Sequence, residues 1–209
     1  MEGDRGPGGV ARHGRLSRLV DGRGLRPPGG GDLRGGPPRV RRVLVAGVGN
    51  VLRADDGVGP RVADLLRSRP MPDGVVVEEF GTGGIHLVQA LMETRYDGLV
   101  VVDCVDRDRA PGVVMVIRPE VLDVGGLRPI ARFDFLADMH YTKPERAFAL
   151  AKALGVLPAD FALVGVQPVD ADSLREGLTP TVAAAAELAA ETALEVACSM
   201  VEGAWNPTG

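Results

Sequence analysis

Val43-Leu44-Val45-Ala46-Gly47-Val48-Gly49-Asn50-Val51-Leu52-Arg53-Ala54-Asp55-Asp56-Gly57-Val58-Gly59-Pro60 is the stretch that decides the fold. Residues 43–48 are a short apolar run ended by glycines, which predicts a strand buried on both faces. Pro60 suits the first turn of a helix reaching about Arg69, with Val62, Leu65 and Leu66 on its inner face. A buried strand, a glycine-rich loop and an amphipathic helix together make the opening unit of a parallel sheet.

The same alternation continues downstream. Residues 75–80 read as a second strand closed by Gly81-Thr82-Gly83-Gly84, and a helix follows over 85–93. A third strand over 98–102 ends at Asp103. Residues 113–117 form a further strand reached through a Pro111-Gly112 turn, so an antiparallel pairing is expected there. Residues 144–154 are helical, with Phe148, Ala151 and Leu154 on one side, and 161–166 form the last strand. In the final helix Thr179 is the N-cap, Pro180 takes the first helical position and Gly203 closes the end. Glu187, Glu191 and Glu195 recur every four residues and make a solvated stripe. The expected fold is therefore α/β and three-layered. A twisted, mostly parallel sheet of about five strands carries helices on both faces and one antiparallel edge strand.

Composition sets the outer limits. The 209 residues suffice for one well-buried core, and charged residues interrupt every apolar run before the roughly 18 residues of a membrane span. Two cysteines, Cys104 and Cys198, do not make a disulfide framework and fit a reducing compartment, so a cytoplasmic location is expected. The net charge of −4 is unevenly spread. Residues 1–42 carry ten Arg against four acids, a net of +6, which leaves −10 for the rest. An acidic body argues against a nucleic-acid surface on the folded part. Residues 1–41, rich in Gly, Pro and Arg, are expected to be a disordered basic tail, since they carry too few large apolar residues to offset ordering. Residues 42–203 are expected to form a single domain, and 204–209 a flexible C-terminus.

Ligands of such sheets bind beyond the carboxyl ends of the strands, which selects the loop 49–57, the turn 81–84 and Asp103. Gly47-Val48-Gly49 invites a dinucleotide reading, but Leu52 stands where the third glycine would be and the helix begins too late. Asp55-Asp56 can cap the following helix; two acids exceed what one cap requires, so one is free to face the cleft. Asp103 follows an apolar run, where a carboxylate needs a cation, a metal or several donors. His140 is a turn histidine, a helix cap or an imidazole ligand, whereas His86 suits an exposed first turn. Together Asp56, Asp103 and His140 offer oxygen and nitrogen donors for a divalent metal and leave open positions. Cys104 neighbours Asp103 on a strand and so points to the other face, which argues against a catalytic thiol. No serine-triad pattern is present.

At these residues the chain resembles the hydrogenase maturation endopeptidases. The matching pieces are residues 45–52 with Asp55-Asp56-Gly57-Val58-Gly59, then Gly81-Thr82-Gly83-Gly84 and the strand ending in Asp103. His140, Leu163-Val164-Gly165-Val166-Gln167-Pro168 and Gly177-Leu178-Thr179-Pro180 complete the set, in order, over nearly everything after residue 42. The resemblance implies a single peptidase domain that removes the C-terminal extension of a nickel–iron hydrogenase large-subunit precursor after nickel insertion. It implies that Asp56, Asp103 and His140 bind the precursor's nickel and act at the catalytic centre. Gly81, Thr82 and Gly83 would position the substrate. The partner would be that precursor alone, without nucleic acid or membrane, and the enzyme a monomer. Two departures stand out: Asp56 replaces a frequent Glu, and Glu79-Phe80 stands where an Asp commonly precedes the Gly-Thr pair. A non-cleaving metalloprotein-binding module and a nucleotide-binding Rossmann-like enzyme are the alternatives.

Overall fold

The computed structural model describes residues 39–82, 84–128, 130 and 144–206. Five apolar runs become the strands β1 (Val43–Val48), β2 (Val75–Gly81), β3 (Gly98–Cys104), β4 (Val114–Ile117) and β5 (Asp160–Val166). They form one sheet in the order β2-β1-β3-β5-β4. β1 lies between β2 and β3 and pairs with both in parallel, and β3 pairs in parallel with β5. β4 runs antiparallel to β5 at the edge, so the expected antiparallel strand is there, with β5 as its partner.

The pleat sorts alternate residues into two cores. Val43, Val45, Val100, Val102, Val164 and Val166 face one side, where they meet α1 (Val58–Arg67) and α4 (Pro180–Val201). Leu44, Ala46, Leu99, Val101 and Leu163 face the other side. There they meet Leu87, Val88 and Leu91 of α2 (Gly84–Glu93) and Phe148 and Ala151 of α3 (Pro144–Ala153). Each buried Val or Leu contributes about 1.5–3 kcal/mol, so both layers are needed to hold the sheet. α4 buries an alanine face, Ala186, Ala189, Ala190, Ala193 and Ala197, that lets it lie close to the strands, and its Glu187, Glu191 and Glu195 stripe is exposed as expected.

Differences from the sequence expectation sit at helix ends. α1 starts two residues before Pro60, behind a 3-10 turn over Ala54–Gly57, because Gly57 and Gly59 let the chain turn early against the strands. Leu154 does not join the buried side of α3 and is 49% exposed. The helix stops at Ala153, Gly155 adopts φ +70°, and the N–H groups of Val156 and Leu157 return to the Ala151 carbonyl. Val156 and Leu157 then pack where Leu154 was expected.

Residues Arg39–Gly209 form one compact unit by their own contacts. Arg39 and Arg41, grouped with the tail on composition, are held to the sheet: Arg39 pairs with Asp97 at 2.7 Å and Arg41 with Asp160. Past α4, the N–H groups of Ala204 and Trp205 donate to the Ser199 carbonyl. Among the described residues no helix is long and apolar enough to cross a membrane.

Candidate functional site at the carboxyl end of the sheet

The loop joining β1 to α1 is built on glycine contacts. A Cβ on Gly59 would sit inside the contact radii of the Val48 and Val102 carbonyl oxygens and 2.6 Å from the Val48 nitrogen. One on Gly47 would lie 2.9 Å from Ala63 Cβ, and one on Gly49, at φ +141°, would strike the Asp56 carbonyl. The glycines that invite a dinucleotide reading thus serve close backbone packing, and the loop itself folds over the strand end. The Asn50 N–H donates to the Asp56 carbonyl at 3.2 Å and to its carboxylate at 3.0 Å. Arg53 and Arg175 form an isolated parallel bridge, closed by the Arg175 N–H to Leu52 O at 3.0 Å and the Ala54 N–H to Arg175 O at 2.7 Å.

The paired acids divide their work, though not by capping α1. The N-cap position of α1 is Gly57, with no side-chain cap. Asp55 is fully buried instead and reaches across the molecule. Its carboxylate accepts from the N–H groups of Val169 (2.9 Å), Asp170 (3.0 Å) and Thr179 (2.6 Å) and from the Thr179 hydroxyl (3.0 Å). With glycine at the N-cap of α1, Asp55 is free for that role. Asp56 is half-buried, and its carboxyl is raised above the ordinary range. Burial is the main cause and Asp172 adds to it, whereas the Asn50 N–H and Arg53 act against it.

Asp103 lies within the last turn of pleat in β3 and is 5% exposed. Leu99 and Val101 face α2 and α3, so alternation turns Asp103 to that side, while Cys104 packs with the opposite core. Among the described residues the donor to Asp103 is the Cys104 N–H at 2.8 Å. Burial therefore drives its carboxyl well above the ordinary range, and the negative charges of Asp56 and Glu145 drive it further. The Cys104 thiol is pushed far up, by burial first and then by Asp103 and Asp56, so it stays protonated and unreactive.

Two supporting residues escape a reading of the sequence by itself. Buried Gln167, just past β5, accepts from the N–H groups of Arg107 (2.8 Å) and Arg109 (3.2 Å) and donates to Asp106 at 2.8 Å. It thereby shapes the loop that leaves Asp103. Glu145, in the first turn of α3, adds charge to the same rim and faces Arg107 at 3.9 Å. A polar side chain directly after an apolar strand is the signal that marks Gln167; Glu145 carries none.

Gly81 ends β2 at φ +52°, its carbonyl accepting from the Gly49 N–H at 2.9 Å, and Thr82 is exposed beside it. Gly83 and His140 lie outside the described residues. His86 is exposed at the start of α2, as expected. Glu79 shares the face of Val75 and Val77, pairs with Arg67 at 3.2 Å and lines a cleft of about 470 Å³ with Val51, Pro60, Asp64 and Leu178. Among the described residues no three acidic, His or Cys side chains gather as a metal cluster. What the structure brings together is a carboxylate pair, Asp56 and Asp103, on the two central strands' exits. The charge of Asp56 adds to the burial that raises the Asp103 carboxyl.

Comparison with known proteins bears on this rim. A family profile described as hydrogenase maturation protease matches residues 60–196. The hydrogenase expression/formation protein HoxM of Azotobacter vinelandii is 37% identical over 155 residues, covering 73% of this chain and 70% of its own. The hydrogenase 2 maturation protease of Escherichia coli K12 is 34% identical over 157 residues, covering 73% of this chain and 88% of its own. Among solved structures, the hydrogenase maturating endopeptidase HybD from E. coli superposes with a TM-score of 0.59 at 32% identity, over 78% of this chain and 93% of that one.

Proposed function

From the premise that the chain belongs to the hydrogenase maturation protease family, and is a peptidase, we propose that it trims the large-subunit precursor of a nickel–iron hydrogenase. In this reading it removes the precursor's C-terminal extension after nickel has been inserted. It meets the client in the cytoplasm, acting as a monomer. Nickel is part of the substrate. Asp56, Asp103 and His140 are its contacts on the enzyme, and the Gly81-Thr82-Gly83 turn lies alongside the peptide.

The observation that carries this reading is the pair of raised carboxyls at the carboxyl end of the sheet. Among the described residues Asp103 accepts from the Cys104 N–H, and its burial penalty is strong, so a cation at the rim serves it well. Nickel accepts carboxylate and imidazole ligands. A precursor without metal offers no such anchor, which makes recognition a test for loaded metal. The shorter Asp56, in place of Glu, is held toward the rim by the Asn50 N–H.

Purified enzyme incubated with nickel-loaded and nickel-free precursor, with the large subunit weighed by mass spectrometry, tests the proposal. Shortening in the loaded sample alone is expected. Asp56→Ala, Asp103→Ala and His140→Ala are each expected to slow it at least about 100-fold, the scale set by losing a metal contact or its support. Full processing by all three variants, or equal processing of the empty precursor, would overturn the metal-reading scheme. Binding of the loaded precursor without shortening would instead mark a non-cleaving relative.

A further inference from the structure

We infer that Asp55 is a positioning residue for Asp56, acting by locking a strained turn to the segment that leads into the last helix. The inference rests on the proposed role of Asp56 as a contact to nickel.

Ala54 sits at φ +44° although it is not glycine, and it is fully buried. A side-chain-bearing residue in the left-handed region is held there by its surroundings. The long-range bonds among those surroundings come from residues 169–179. The Arg175 carbonyl takes the Ala54 N–H at 2.7 Å, the Asp170 carbonyl takes the Asp55 N–H at 2.9 Å, and the Asp55 carboxylate takes four donors from Val169, Asp170 and Thr179. The turn carrying Asp56 is therefore fastened at Ala54 and at Asp55 to a segment more than a hundred residues away. Asp56 follows immediately, and its own bonds stay within the loop: its N–H donates to the Arg53 carbonyl at 3.0 Å, and the Asn50 N–H donates to its carbonyl and carboxylate.

The donor pattern requires a carboxylate. Oδ2 accepts three of the four donors and Oδ1 accepts the Thr179 N–H. An amide of the same shape, in either orientation, turns its NH2 toward at least one backbone N–H. Asp55→Asn thus breaks at least one of the side-chain bonds with almost no change of volume and leaves the backbone bonds of Ala54 and Asp55. It loosens the turn so that Ala54 relaxes and carries Asp56 with it.

Calorimetric titration with Ni²⁺ alone, on the full chain, tests this through a double-mutant cycle. Asp55→Asn is expected to weaken Ni²⁺ binding about tenfold in the wild-type background and to leave it unchanged in an Asp56→Asn background. A general loosening of the fold would weaken both backgrounds alike. That result, or wild-type affinity in Asp55→Asn, overturns the inference. Should Asp55→Asn fail to fold, Thr179→Val removes one hydroxyl donor and runs the same cycle, with about a threefold loss expected in the wild-type background alone. Absence of Ni²⁺ binding by the wild type, or wild-type affinity in Asp56→Asn, signals instead that the underlying reading of the rim has failed.

Discussion

At Gly59 a helix and two strands meet with no room for a methyl group, and that contact sets where α1 can begin. The obstructing atoms are the carbonyl oxygens of Val48 and Val102, which are backbone and cannot rotate away. Gly59→Ala is therefore expected to destabilise the fold by about 3 kcal/mol or more, read as a lower urea midpoint. At Gly81, where φ is +52° and no atom lies within 4 Å of where a methyl would stand, the same change meets only the left-handed penalty of about 1 kcal/mol. Similar values for the two variants would refute the packing account. Residue-level reading of the sequence separates structure from site only in part. That one of the Asp55-Asp56 pair is spare follows from counting caps. Which one is spare, and that the other serves no cap at all, depends on partners more than a hundred positions away.

Among the elements, the segment before β1 shows how a strand is held at its amino end. Arg39 donates twice to Asp97, at 2.7 and 2.8 Å, the Arg42 N–H donates to the same carboxylate at 2.8 Å, and Arg41 spans to Asp160 and to the Asp97 carbonyl. The Arg42 N–H, and then Arg39, hold the Asp97 carboxyl below the ordinary range. A folded-state value below the unfolded one adds stability above about pH 4, and that stability is lost as pH falls through the folded value. Asp97→Asn should thus lower stability at pH 7 by about 1–2 kcal/mol, with the gap to wild type closing as the pH drops below about 4. Thermal unfolding of both proteins from pH 7 to pH 2 measures it; a gap that persists at pH 2 would contradict the assignment. Helix and strand types were legible throughout, because each apolar run is bounded by Gly, Pro or Asp. Ends were less so: Leu154 obeys the periodicity of α3, but the chain leaves the helix first and seats Val156 and Leu157 in its place.

For the whole molecule, the order of buried strands and amphipathic helices was enough to read a parallel sheet with helices on both faces. The swap of β5 for β4 beside β3 was not readable, since edge and central strands differ here mainly in length and partner. The rim was legible as a place, because strand exits gather at one end of such sheets, whereas the bonds of Gln167 and the presence of Glu145 became visible only once the loops were arranged. The compact unit begins at Arg39 and the family match lies at 60–196. A chain lacking residues 1–38 is accordingly expected to keep the thermal midpoint and the processing rate of the full chain. A lowered midpoint, or slower trimming of the loaded precursor, would assign those residues a role.

Asp103 and Cys104 are neighbours in sequence yet lie on opposite sides of one pleat. Soft and hard ligands are in this way kept in separate compartments by the thickness of a single strand. On the proposed reading the rim meets nickel through carboxylates and an imidazole, while the thiol that would hold it most tightly lies, its pKa pushed far up, behind the sheet. On that same reading, an enzyme so built inspects a client's metal without acquiring it, and is left free for the next one.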